Sequence, residues 1–374
     1  MLRFLTAGES HGPALTGIIE GLPAGLPLNV EAINRELHRR QAGYGRGGRM
    51  QIERDQVEIL AGMDKGATTG APLALRIENR DWVNWRDKEL PPQTIPRPGH
   101  ADLAGAMKYG VQDLRIISER ASARETAMRT GIGAVAKALL GEFGIHLGGF
   151  MNEIGGVQGE VPDLPLTRLF ELAEGSEVRC PDPAASQAMK ERIDQARLEG
   201  DSLGGIFTVA AIAVPVGLGS HVHWDRRLDG RLAQALMSIP GVKGVEIGAG
   251  FRTACLTGTQ VQDEISYREG KVVRASNRAG GLEGGITNGE PVVVRAAMKP
   301  IPTTLTPLRT VDLATGKPAR TQYQRSDICA VPAACVVGEA MLAWVLADAL
   351  VEKLGGDSLA EMRARAEALW GSQT

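Results

Sequence analysis

A chain of 374 residues with 43% hydrophobic and 23% charged side chains can bury a substantial core, which excludes a disordered or low-complexity protein. Its net charge of −2 supplies no global field for nucleic acid or an anionic membrane surface. Aromatic residues make up only 4%, so the core must be aliphatic, and the 47 scattered glycines point to many tight loops.

The apolar run in residues 1–9 is too short for a signal peptide, and nothing approaches the roughly 20 apolar residues of a membrane span. A cytoplasmic location is expected. Cys180, Cys255, Cys329 and Cys335 lack metal-finger or CxxC spacing and read as reduced structural thiols.

Residues 1–20 read as strand, turn and strand about Gly8-Glu9-Ser10-His11-Gly12. A helix from about 30 to 41 follows, with Ile33 and Leu37 inward and Arg35 and Arg39 outward. Residues 43–49 form a basic glycine loop, and strands are expected at 56–61 and 72–78. The polar stretch 79–98, with Trp82, Trp85 and four prolines, reads as an irregular surface excursion of the kind that is usually functional or mobile. It ends in Pro98-Gly99, a turn that presents His100. Ser122-x-x-Glu125 has the form of a capping box. Met128, Ile132, Val135, Leu139 and Leu140 then recur at helical spacing until Gly141 and Gly144, while Gly131, Gly133, Ala134 and Ala136 allow a neighbour to approach closely.

Farther on, a strand over 145–154, a helix over 186–199, a buried strand over 206–216 and a helix over 228–238 are expected. Residues 238–248 loosely repeat the order seen in 14–41, which suggests an internal pseudo-duplication. A glycine-rich part (276–285), a strand (291–297) and a long apolar helix (332–354) complete the chain. No linker interrupts it, so residues 1–374 read as a single domain. Taken alone, the alternation of strands and helices suggests a parallel α/β sheet.

Several residues could carry chemistry. His11 and His100, both in glycine turns, are either satisfied turn histidines or groups that protonate a leaving anion. Arg39, Arg40, Arg46 and Arg49 are either a solvated helix end or an anion site, because guanidinium forks match phosphate and carboxylate oxygens. Glycines interleave this cluster where aromatics would be needed to stack nucleic-acid bases. Arg120 and Arg124 sit where a helix start would favour an anion. Asp327 either caps a turn or acts as a base. His221 and His223 fall on one face of a strand-like stretch but have no third ligand at metal spacing, so no metal is expected.

Together these stretches resemble the chorismate synthase family. The motifs are Gly8-Glu9-Ser10-His11-Gly12, Arg39 to Arg49, Arg97-Pro98-Gly99-His100-Ala101-Asp102, Lys108-Tyr109-Gly110 and Arg120-Ala121-Ser122-Ala123-Arg124-Glu125-Thr126. Gly241-Val242-Lys243-Gly244-Val245-Glu246, Lys299-Pro300 and Arg325-Ser326-Asp327 extend the likeness over nearly the whole chain. The resemblance implies an α+β sandwich, with helices packed between antiparallel sheets, assembled as a homotetramer. It implies a lyase that converts 5-enolpyruvylshikimate 3-phosphate to chorismate by anti-1,4-elimination, with reduced FMN as cofactor. NADPH is a candidate reductant and an external flavin reductase a candidate partner.

It further implies catalytic roles for His100 towards the phosphate, for His11 towards the reduced flavin and for Asp327 towards flavin N5. Substrate or NADP contacts would fall to Arg40, Arg46 and Arg49. Flavin contacts would fall to Arg120, Ala121, Ser122, Pro240, Gly241, Gly284, Lys299, Pro300, Ile301, Pro302, Thr303 and Arg325. Pro240-Gly241 replaces a common Asn-Ala, and Ile301-Pro302 departs from a hydroxyl-rich run. The alternative is a flavin-independent phospholyase or phosphotransferase acting on a small phosphorylated acid.

Overall fold

The computed structural model describes residues 1–48, 52–324 and 326–371. The proposed substrate or flavin contacts Arg49 and Arg325 lie outside the described residues. Strand β1 (Arg3–Ala7) turns back into β2 (Ala14–Glu20), and helix α1 (Val30–Gln41) leads to β3 (Val57–Ala61) and β4 (Leu73–Glu78). These strands form an antiparallel sheet in the order β1-β2-β4-β3. Alternation fixes its faces: Leu15 and Ile19 of β2 are buried, whereas Leu5 and its cross-strand partner Ile18 face outward.

Three helices follow: α2 (Asp102–Tyr109), α3 (Arg115–Ala121) and α4 (Thr126–Gly141). The second half contains β5 (His146–Ile154), β6 (Val157–Gln158), α5 (Leu166–Glu174), α6 (Pro183–Glu199), β7 (Gly205–Ile212), α7 (Leu228–Met237), β8 (Val242–Ile247) and β9 (Val292–Met298). Helices α8 (Val331–Leu354) and α9 (Leu359–Trp370) close the chain. The second sheet, β8-β9-β7-β5-β6, is also antiparallel throughout. The alternation of strands and helices along the chain suggests a parallel sheet. It does not encode which strands pair, and the antiparallel sandwich implied by the family resemblance is the arrangement found.

Helix α4 packs on β2 and β4 on one side and on α8 on the other, and α8 packs on β5 and β7. Phe4 of β1 meets Trp344 of α8 edge to face, with centroids 4.7 Å apart. Helix α8 corrects one sequence expectation: its 24 residues are long and apolar enough to cross a membrane, but nearly all are buried inside the protein. Side-chain caps start two helices: Asn29 caps the N–H groups of Glu31 and Ala32 at α1, and at α6 Asp182 caps and Pro183 opens the first turn.

Arg39 was expected to face solvent, and it does not. Its guanidinium donates to both oxygens of Glu339, fully buried on α8, at 2.8 and 2.9 Å, and also contacts Glu36 and Glu174. Lys137 of α4 and Arg179 reach the same Glu339 carboxylate at 2.6 and 2.9 Å. Burial alone would raise the Glu339 carboxyl, but these three cations hold it far below the usual range. His221 and His223 lie in an exposed bend before α7 and not on a strand.

Gly133 of α4 is where the two central helices come closest. A Cβ there would stand 2.2 Å from that of Ala340, whereas a Cβ at Gly131 would meet only Ile77, at 3.9 Å. Gly133→Ala should therefore cost roughly 1–3 kcal/mol through overpacking. Gly131→Ala should be neutral or stabilising by up to about 1 kcal/mol through helix propensity. Urea unfolding of the two variants checks this, and equal effects would contradict the close helix approach.

Candidate active site

A cavity of about 490 Å³, within the usual size of small-molecule sites, opens where the β1–β2 turn, the 85–100 excursion, α3 and the start of α8 converge. The β1–β2 turn needs glycine at its start, because Gly8 has φ +112 and a Cβ there would strike the Ala14 carbonyl oxygen at 2.5 Å. This turn delivers Ser10 and His11 to the cavity. Glu119 of α3 receives both the backbone N–H of His11, at 2.6 Å, and its Nδ1, at 2.7 Å. Ser10 Oγ lies 3.1 Å from Ser122 Oγ. The Trp85 ring lies 4.0 Å from the His11 ring, so the excursion 79–98 is not a purely surface feature.

His100 reaches the same cavity on the Pro98-Gly99 turn. Lys299 Nζ donates to the Gly99 carbonyl at 2.5 Å, and Arg97 Nη1 donates to Gln324 at 2.7 Å, so two distant segments clamp the turn. His100 Nδ1 is 2.6 Å from Asp102 Oδ1, and Arg97 grips the same carboxylate through Nε at 2.8 Å and Nη2 at 3.0 Å. Burial would raise the Asp102 carboxyl, but the hydrogen bonds from His100 and Arg97, and the arginine charge, hold it well below the usual range. Each candidate histidine is thus held at Nδ1 by a carboxylate.

The polar wall is built from arginines. Arg40 is buried, donates to Thr126 and to the Ala123 carbonyl, and pairs with Asp55; burial pulls it down to about 10 against the opposing pull of Asp55. Arg124, also buried, binds Asp55 at 2.5 Å and Asn79 at 2.7 Å. Arg46 pairs with Asp327 at 2.7 Å, and the Gly47 N–H donates to Asp327 at 2.6 Å. A Cβ at Gly47 would stand 2.7 Å from the Ser326 carbonyl oxygen, so that approach needs a glycine. Asp327 therefore anchors the 46–47 loop and is not the cap of α8.

The rest of the lining is largely apolar: Ile239, Pro240, Met298, Ile301 and, at the start of α8, Ala330, Ala333, Ala334 and Val337. The helix N-terminus there favours an anion. Such a site, lined by aliphatic side chains and by buried arginines, fits a flavin ring and a polyanionic substrate by the chemistry of its donors. Burial pushes the neighbouring Cys329 and Cys335 thiols up to about 12, so they are inert at neutral pH.

Of the expected site residues, the cavity gathers His11, His100, Asp327, Arg40, Arg46, Ser122, Pro240, Ile301, Pro302 and Thr303. Ala121, Gly241, Lys299 and Pro300 adjoin the lining residues without lining the cavity themselves. Arg120 turns away to bind Thr6 and the Gly8 carbonyl, and Gly284 sits on an exposed hairpin turn beside His221. The capping box is half formed: Ser122 accepts from the Arg124 N–H, while Glu125 pairs with Arg129. Sequence reasoning missed Glu119, Trp85, Gln93, Arg115 and Gln324 as lining residues. Only Glu119 and Gln324 directly adjoin a quoted motif.

The family model described as chorismate synthase matches residues 2–351. The chorismate synthase of Desulforamulus reducens is 57% identical over 376 residues, covering 98% of this chain and 97% of that protein. Those of Geobacter sulfurreducens and Aquifex aeolicus are 56% and 57% identical, with 98% of this chain covered in each case and 98% and 96% of the respective relatives. A solved structure, "Crystal Structure of Chorismate Synthase", superposes with a TM-score of 0.82 at 50% identity and covers 98% of this chain and 97% of its own.

The Asp102 geometry has a consequence for acid stability. A carboxyl depressed in the folded state adds stability that is complete above its unfolded value, about 3.9, and is lost as pH falls through the folded value. Asp102→Asn should be less stable than the parent at pH 7, and the gap should narrow below about pH 4. A gap that stays constant in urea titrations across that range would contradict the assignment.

Proposed function

The chain belongs to the chorismate synthase family and is a lyase, and from that premise we propose that its reaction is the anti-1,4-elimination of phosphate and the C6 hydrogen from 5-enolpyruvylshikimate 3-phosphate. The product is chorismate, the end of the shikimate pathway towards aromatic amino acids. The observation that carries this reading is the pair of carboxylate-held imidazoles, His11 with Glu119 and His100 with Asp102, lining one arginine-rich cavity.

The chemical difficulty is a departing phosphate and a C–H of low acidity. Reduced FMN, when bound, supplies electron density as the phosphate leaves and assists removal of the C6 hydrogen. The chain's own residues do the rest. His100, with Nδ1 engaged by Asp102, passes a proton from Nε2 to the leaving phosphate. His11, with Nδ1 engaged by Glu119, offers Nε2 to the anionic cofactor. Arg40, Arg46, Arg97 and Arg124 offset the charge of the substrate in a site partly shielded from water. Asp327, fixed by Arg46 and the Gly47 N–H, is the carboxylate available for the last proton transfer.

Ser122, Pro240, Ile301, Pro302 and Thr303, with the aliphatic start of α8, would hold the flavin. Contacts from the exposed Arg120 and Gly284 would require a second copy of the chain, so a homotetramer belongs to the same reading. A cytoplasmic location and flavin reduction by a separate reductase, with NADPH as electron source, complete it.

Anaerobic turnover tests the proposal: chorismate and phosphate should appear together with dithionite-reduced FMN and not without it. Phosphate release without flavin would move the flavin-independent phospholyase or phosphotransferase to the front. His100→Ala should slow turnover by roughly 10²- to 10⁴-fold while flavin still binds. Unchanged turnover would remove His100 from the mechanism.

A further inference from the structure

We propose that Asp102 is a positioning residue that fixes the tautomer of His100, so that Nδ1 always carries a hydrogen and Nε2 alone exchanges one. Its effect on turnover rests on the reaction proposed above; its effect on the imidazole does not.

Which atoms can donate decides the tautomer. An ionised carboxylate only accepts hydrogen bonds, and a guanidinium only donates. Asp102 is buried, with 3% of its side chain exposed, and three donors of Arg97 hold it: Nε at 2.8 Å, Nη2 at 3.0 Å and the backbone N–H at 3.2 Å. His100 Nδ1 has two neighbours in this cluster, Asp102 Oδ1 at 2.6 Å and Arg97 Nη2 at 3.2 Å.

If Nδ1 accepted from Arg97, its lone pair would lie 2.6 Å from a carboxylate oxygen. That contact is repulsive and would leave the shorter of the two approaches without a hydrogen. If Nδ1 donates to Asp102, the short contact is a charge-assisted hydrogen bond, and the 3.2 Å contact is packing alongside it. The second arrangement is favoured, so neutral His100 is the Nδ1–H tautomer. The proton balance is then simple: imidazolium gives its Nε2 hydrogen to a phosphate oxygen and remains as the Nδ1–H imidazole, poised to regain a hydrogen at Nε2 only.

Arg97 makes the device specific to a carboxylate. In Asp102→Asn the amide oxygen is the only group that can face the guanidinium, which turns the amide NH₂ towards Nδ1. Nδ1 then becomes an acceptor and the hydrogen of neutral imidazole moves to Nε2, the wrong nitrogen for regaining one. The turn is also held by Lys299 on the Gly99 carbonyl, a contact made by neither Asp102 nor Arg97, so the substitution acts on the ring more than on the loop.

The test is the ¹⁵N spectrum of neutral imidazole in the full-length protein, with His100 among the six histidines assigned by its loss in His100→Ala. The wild-type spectrum should show protonated Nδ1 and bare Nε2; the reverse pattern overturns the proposal without any variant. Asp102→Asn should reverse the pattern and lower kcat by roughly 10²- to 10⁴-fold with KM changed only a few-fold. Added to His100→Ala, it should slow turnover no further. A variant that keeps wild-type kcat, or that slows the His100→Ala enzyme by its full factor, would overturn the positioning role. If the wild type makes no chorismate but shows the Nδ1–H pattern, the proposed reaction fails and this inference stands.

Discussion

The buried carboxylate of Glu339 joins the elements on which the cavity depends. It lies near the middle of α8 and receives Arg39 from α1, Lys137 from α4 and Arg179 from the loop before α6. Removing any one partner would leave uncompensated charge in the core, an arrangement that typically costs about 3–5 kcal/mol. The cluster thus fixes how α1, α4 and α8 sit relative to one another. Arg39 points into it, and the next residue, Arg40, points into the cavity wall. One turn of α1 therefore serves both the core and the site. Gly133 sets the close approach of α4 to α8.

Within this frame the site separates its duties. Buried arginines 40 and 124 share Asp55 and are anchored by Thr126 and Asn79, so their charges are oriented before any ligand arrives. Preorganised charge of this kind needs no rearrangement when a polyanion binds. The two histidines sit on glycine turns from distant parts of the chain, and each turn is tied to a second segment. Glu119 holds the His11 turn, and Lys299 and Gln324 hold the His100 turn. Flexible sequence is thereby made into rigid presentation.

Much of this was legible in the sequence wherever the signal is local. The β1–β2 turn, α1, the 126–141 helix with its close-approach glycine and the long apolar α8 all follow from local spacing. What the sequence hid was long-range. The antiparallel pairing of β2 with β4, or of β7 with β9, leaves no mark on either strand alone. Arg39 looked solvated because its counter-ion Glu339 lies 300 positions away. Glu119 looked like one more helical carboxylate because His11 lies 108 positions away. The family resemblance supplied the sandwich and roles for the two histidines that their glycine turns had already marked, but not the part played by the carboxylates behind them or the Trp85 ring against His11.

The central claim is that one cavity, bounded by His11, His100 and the start of α8, is where phosphate elimination occurs. The most direct measurement is a crystal structure of the protein with oxidised FMN and 5-enolpyruvylshikimate 3-phosphate. The account predicts a flavin ring against the Ile239, Pro240 and Ala333 wall, with the substrate phosphate within hydrogen-bond reach of His100 Nε2. Ligands bound elsewhere, or a phosphate facing away from His100, would contradict it.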